Sequence, residues 1–298
     1  MSLRSVLQSG KFAVTAEIGP PKSASPAPIL KKCGYLKSMA DAYNITDNQT
    51  AVVRLSSIAS AAIIMKEGLE PIVQMTCRDR NRIALQSDLL GLAALGIPNV
   101  VCMTGDHQSF GNHPGAMGVF DIDSIQLILA AKGLKDGRFM SGDETKSPPD
   151  YMIGAVENPF ASPASYRLKR LEKKVRAGAE FVQTQAIFNV DKFEKWMAGA
   201  RKAGLHENVH IIAGISPPKS LRIAQRMKDI IPGVDMPDSI MDRMSKAEDF
   251  QAESLTISVE MVEQVMTIEG VAGVHLMPIF WESIIPELVE RAGLLPRP

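Results

Sequence analysis

Eight short apolar runs rich in Val, Ile and Thr recur along the chain, at 12–18, 42–47, 70–77, 99–106, 151–158, 181–188, 210–217 and 273–280. Each is apolar almost throughout and does not alternate with polar residues, the pattern of parallel strands covered on both faces. Helical spacing fills the intervals. The segment 89–96 closes on Gly96, 166–179 sets Leu168, Leu171 and Val175 on one face with Gly178 near its end, and 193–204 ends on a Gly stop. The span 220–270 is too long for one helix and divides into three, with a short middle helix near 238–247, and 283–294 forms the last. Eight strand-then-helix units predict a single (β/α)₈ barrel over 1–298. A doubly wound open sheet, the main rival, would not need eight similar units. The polar stretch 141–150 reads as a surface loop and not as a domain linker.

Composition narrows the classes without choosing one. Among 298 residues, 33 Lys and Arg balance 33 Asp and Glu, which leaves no basic footprint for a nucleic-acid backbone. Three widely spaced cysteines, Cys33, Cys77 and Cys102, make no CxxC pair and no disulfide framework. The absence of a signal-like apolar run at the amino terminus and of any membrane-length apolar segment gives a cytoplasmic expectation. The five histidines do not fall at metal-ligand spacing, and no GxGxxG, phosphate-loop, HExxH or GxSxG motif is present. No metal is expected.

In a barrel of this kind chemistry sits at the carboxyl ends of the strands. The polar residues there are Glu17, Thr46 with Asp47 and Asn48, Thr76, Asp106, Glu157, Gln185, Ser216 and His275. Any one of them could be a strand-end cap or a solvated loop residue, but together they would ring one mouth. Two segments stand out. AEIGPPK (16–22) places a carboxylate in an apolar strand before a Gly-Pro-Pro stop, which suits either a structural acid or a general acid of raised pKa. The segment 100–121 ends its strand on Asp106 and carries four glycines, which suits either a ligand-hugging loop or a merely flexible one.

These segments resemble the methylenetetrahydrofolate reductase family. The resemblance runs through E-x-x-P-P (Glu17, Pro20, Pro21), the strand-end Thr46, M-T-C at Thr76, G-D at Gly105 and Asp106, K-K-V-x-A-G-A from Lys173, T-Q at Thr184 and Gln185, and A-G-I-x-P from Ala213. It implies a barrel that binds FAD, or alternatively FMN, at its mouth with folate stacked on the flavin. By the same resemblance Glu17 is the general acid toward 5,10-methylenetetrahydrofolate and Asp106 tunes the flavin and supports a cationic intermediate. Thr46, Gln74, Thr76, Gly105, Phe120 and Lys174 are then flavin positions, and Gln185, Leu221 and Trp281 are substrate positions.

Four departures matter. Gln74 stands where the family has a flavin-contacting histidine, and Arg167 where it has an aspartate near the flavin tail. Leu221 replaces an aromatic that stacks on nicotinamide, and Trp281 replaces a folate-contacting arginine. They lead to the expectation of an electron donor other than NAD(P)H, such as a redox partner protein, and a homo-oligomer is also expected. The competing functions are a folate-binding barrel methyltransferase and a non-catalytic subunit of a one-carbon complex.

Overall fold

The computed structural model describes residues 1–298. Eight parallel strands, β1 (Ala13–Ile18), β2 (Ala42–Ile45), β3 (Pro71–Thr76), β4 (Asn99–Met103), β5 (Met152–Glu157), β6 (Phe181–Ala186), β7 (His210–Ile215) and β8 (Val271–Leu276), close in sequential order. β8 pairs with β1 in register from Ala13↔Gly273 to Ala16↔Leu276, so no edge remains and the open-sheet alternative is excluded. All eight expected strands are present, most of them a residue or more shorter than the apolar runs.

The expected helices are found as α4 (Arg82–Ala94), α6 (Arg167–Ala177), α7 (Val190–Lys202), α8 (Leu221–Ile230), α9 (Asp238–Lys246), α10 (Phe250–Met266) and α11 (Ile285–Arg291). α6 ends on Gly178 at φ 112°, a left-handed position that suits a residue without Cβ. Four helices escaped the pattern: α1 (Leu3–Gln8), α2 (Ala27–Leu36), α3 (Ser57–Lys66) and α5 (Ser124–Lys135). α1 is too short to show a period, and α3 and α5 are apolar around much of their surface, which blurs a one-sided stripe. α5 is instead signed by its capping box, in which Asp123 accepts from the Gln126 amide while the Gln126 side chain accepts from Asp123 N–H.

Alternation along each strand sends every second side chain inward. At the amino-terminal end those residues are apolar: Ala13, Ala42, Ile72, Val101, Met152, Phe181 and Ile212 pack with Leu3, Val6 and Leu7 of α1, which plugs the barrel. Gly154 is required there, since a Cβ would lie 2.3 Å from the Phe181 ring. One layer up the interior turns polar. Asn44 and Gln183 exchange amide hydrogen bonds of 2.6 and 3.0 Å, and Gln183 Nε2 donates to Thr15 Oγ1 at 3.1 Å. Thr15 Oγ1 lies 2.9 Å from His275 Nδ1. The larger apolar core lies outside the barrel, between strands and helices. No helix is long and apolar enough to cross a membrane.

Candidate active site

Above the polar layer a cavity of about 430 Å³ opens at the carboxyl ends of the strands. Its lining brings together Glu17, Gln74, Thr76, Gly105, Asp106, Lys174 and Gln185 from five separate segments. Asp47, Asn48, Glu157 and His275, also marked as strand-end candidates, line it too. Ser216 does not; its hydroxyl donates to the Met277 carbonyl at 2.7 Å and ties β7 to the end of β8.

Glu17, on β1, is half-buried at the cavity wall. Burial is the largest influence on it and pushes its carboxyl up to about 7; hydrogen bonds from Gln74 and Gln49 and the Lys32 cation act the other way, while Glu282 adds to the rise. Gln49 Nε2 donates to Glu17 Oε1 at 3.4 Å. His275, on the cavity floor, is pushed down to about 3 by burial and is therefore neutral at physiological pH.

Opposite charges shape the other walls. Asp47 accepts from the Thr76 N–H and hydroxyl, both at 2.9 Å, and from Arg80 at 2.7 Å, which fixes the end of β3. The buried Arg78 guanidinium donates to the backbone carbonyls of Asp106 at 3.2 Å and Asn48 at 3.3 Å, so one side chain holds two mouth loops. Gly105, at φ 91°, sits so close to β3 that a Cβ would lie 3.0 Å from the Thr76 side chain. On the β5 side Lys174 donates to Glu157 Oε2 at 2.6 Å with both side chains buried, and burial lowers the lysine's proton affinity against the pull of Glu157. Arg167 and Arg170 line the same wall, and Arg167 Nε is buried without an acceptor.

Besides Ser216, four of the residues marked from the sequence lie off the cavity. Thr46 is buried at the end of β2 with its hydroxyl unpartnered. Phe120 packs beside the His107 ring, 6.5 Å between centroids, in the loop after β4. Leu221 opens α8 on the surface, and Trp281 is packed into the outer core. Conversely, Gln49, Arg78, Arg80, Arg170 and Gln183 have site or support roles that the motifs did not flag. The Arg-Asp-Arg run directly after M-T-C was the available signal for two of them. Backbone strain collects here as well. Asn48, Thr50, Ala51, Phe120 and Phe280, all with positive φ and none of them glycine, lie in loops that follow β2, β4 and β8.

The model of the family described as methylenetetrahydrofolate reductase matches residues 2–293. The chain belongs to that family. Among curated relatives, methylenetetrahydrofolate reductase 1 of Schizosaccharomyces pombe is 30% identical over 133 residues, which is 43% of this chain and 21% of that one. A Caenorhabditis elegans protein named probable methylenetetrahydrofolate reductase (NADPH) is 25% identical over 83% of this chain and 36% of its own length. The 5,10-methylenetetrahydrofolate reductase of Salmonella typhimurium is 27% identical over 78% of this chain and 73% of its own. The chain thus spans from about a fifth to a half of the first eukaryotic relatives it matches. Among solved structures, an uncharacterized Clostridium thermocellum protein that binds two copies of 5-methyl-5,6,7,8-tetrahydrofolic acid superposes with a TM-score of 0.68 at 16% identity, covering 97% of both chains. At that identity the likeness speaks for the barrel alone.

Proposed function

We propose that this protein reduces 5,10-methylenetetrahydrofolate to 5-methyltetrahydrofolate at the barrel mouth, with a bound flavin as the redox group. The observation that carries the reading is Glu17, a carboxyl at the cavity wall held near pH 7 by burial. General acids work best when their pKa lies near the operating pH. The names of the family relatives support the same substrate.

The donor set fits a flavin. Arg167, Arg170 and Lys174 make a cationic wall, and the unpartnered Arg167 Nε suits a phosphate oxygen. These three would hold the phosphate end of FAD, the first choice, or of FMN, and Gly105 lines the same cavity at the end of β4. When bound, the reduced flavin supplies a hydride. The chain's own residues do the rest. Glu17 gives its proton to N10 of the folate, which opens the five-membered ring to an electrophilic iminium. Asp106 stands at the same cavity to offset that positive charge. Gln185 Oε1 is already engaged by the Ala186 N–H at 2.9 Å, which leaves its NH₂ for a pterin acceptor. The test is rapid mixing of the reduced protein with methylenetetrahydrofolate, which should reoxidise the flavin. A colourless protein that takes up no flavin would instead favour the methyltransferase or the non-catalytic subunit.

The electron donor in this reading is not NAD(P)H but a redox partner protein or another small donor. Leu221 supplies no ring face for nicotinamide and opens α8 outside the cavity lining. Around the mouth, Phe110 and Phe280 are exposed on the loops after β4 and β8, an apolar rim that a protein could cover. Stopped-flow mixing with saturating NADH or NADPH should give slow reduction; several turnovers per second, the ordinary enzyme range, would overturn this part.

A further inference from the structure

A second and much smaller cavity also touches Glu17. It measures about 10 Å³, close to the minimum for a single water, and is walled by Gly19, Gln49, Phe280 and Glu282 among others. Two carboxylates from opposite ends of the chain therefore share one small gap. Glu282 lies in the segment after β8 and is buried at 7% exposure. Lys32 of α2 pins it, its ammonium bridging Glu282 Oε1 and, at 2.9 Å, the Gly19 carbonyl.

The groups facing Glu17 come from every neighbouring element. Gln74 of β3 and Gln49 after β2 donate hydrogen bonds, Lys32 approaches from α2, and Glu282 comes from the segment after β8. His275 on β8 is neutral. Arg54 is turned to the Pro20 carbonyl and over the Phe280 ring, and Tyr35 of α2 is held up by burial and then by Glu282. With room for about one water between them, the two carboxylates are poorly screened, and the Glu282 charge disfavours ionisation of Glu17. Glu282 outweighs Lys32 in its effect on Glu17. We propose that Glu282, held in place by Lys32, is a positioning residue that keeps Glu17 in its proton-donating form between turnovers. The proposal rests on Glu17 being the acid of the folate reaction, but its test does not depend on turnover.

The test is an infrared pH titration of the protein as isolated, reading the protonated carboxyl band that disappears in Glu17→Gln. In the native chain the band should titrate near pH 7. In Glu282→Gln, where Lys32 is left unopposed, the midpoint should fall by about one pH unit or more. Glu282→Asp, which retains the charge, should stay near the native midpoint, a rescue that lost packing alone would not produce. Should Glu282→Gln fail to fold, the neutral pair Lys32→Met with Glu282→Gln replaces it and should give a smaller fall. An unchanged midpoint in the neutral variants overturns the proposal. If the midpoint moves as described while Glu17→Gln still reduces folate, the positioning stands and the reading of Glu17 as the acid falls.

Discussion

The two ends of this barrel are built from the same alternating strands and could hardly differ more in what those strands carry. At the amino-terminal end the inward residues are Ala, Ile, Val, Met and Phe, sealed by Leu3, Val6 and Leu7 of a single short helix. At the carboxyl end they are Glu17, Gln74, Thr76 and Gln185, roofed by loops in strained conformations. One end is optimised for packing. The other holds a half-buried acid whose proton affinity is raised, which is a cost in stability and a gain in chemistry. The difference teaches that substitutions at the two ends should separate stability from activity, and in the case of Glu17 set them against each other.

The largest effect is expected at the mouth. Glu17→Gln should slow flavin reoxidation by methylenetetrahydrofolate by about 10²–10⁴-fold while flavin stays bound, since an amide has no proton to give. In the native protein the same rate should hold below pH 7 and fall about tenfold per pH unit above it, as Glu17 loses its proton near 7. Phe181→Ala probes the opposite end. Emptying the ring that fills the space over Gly154 should cost about 3–5 kcal/mol by denaturant unfolding. Per folded molecule, the rate of flavin reoxidation should be nearly native.

Glu17→Gln should also change stability in a pH-dependent way. A carboxyl whose folded pKa lies above its ordinary 4.5 stabilises the fold below that value, and the contribution is lost as pH rises through about 7. Replacing it should therefore make the protein more stable at pH 8 by up to about 3 kcal/mol, with little change at pH 4.5. Equal unfolding midpoints at pH 8 would show that the mouth is not under this electrostatic load. Asp106→Asn, at the end of β4, should raise the flavin midpoint potential by removing a charge that opposes the anionic reduced form. A potentiometric titration with an unchanged or lower midpoint would count against that placement. The smallest effect is at Leu221→Phe, where a restored ring face is worth about 0.5–1.5 kcal/mol and should tighten NADH by at most about tenfold.

Much of this comparison was legible in the chain. The eight apolar runs, the Gly stops after α6 and α7 and the ordered strand-end motifs are local, because each records which face of one element is buried or where one helix ends. They placed Glu17, Gly105, Asp106 and Gln185 at one mouth before any contact was seen. Phe120, Leu221 and Trp281 rest on the family resemblance alone and Thr46 on that and its strand-end place, and all four side chains lie off the cavity, since neither sign determines where a side chain points.

What the sequence by itself determined is therefore the barrel, its order and the identity of the acids at its open end. Only the tertiary structure decided which charges share a space. Lys32 and Glu282 are 250 positions apart and lie beside Glu17 because β8 closes against β1. Glu157 meets Lys174 because α6 packs back over β5, and Arg78 clasps two loops at once because β3 lies between β2 and β4. Hydrophobic periodicity reports burial one element at a time, whereas the proton affinity of a carboxyl depends on every group brought within a few ångströms of it, and that company is assembled only when the sheet closes.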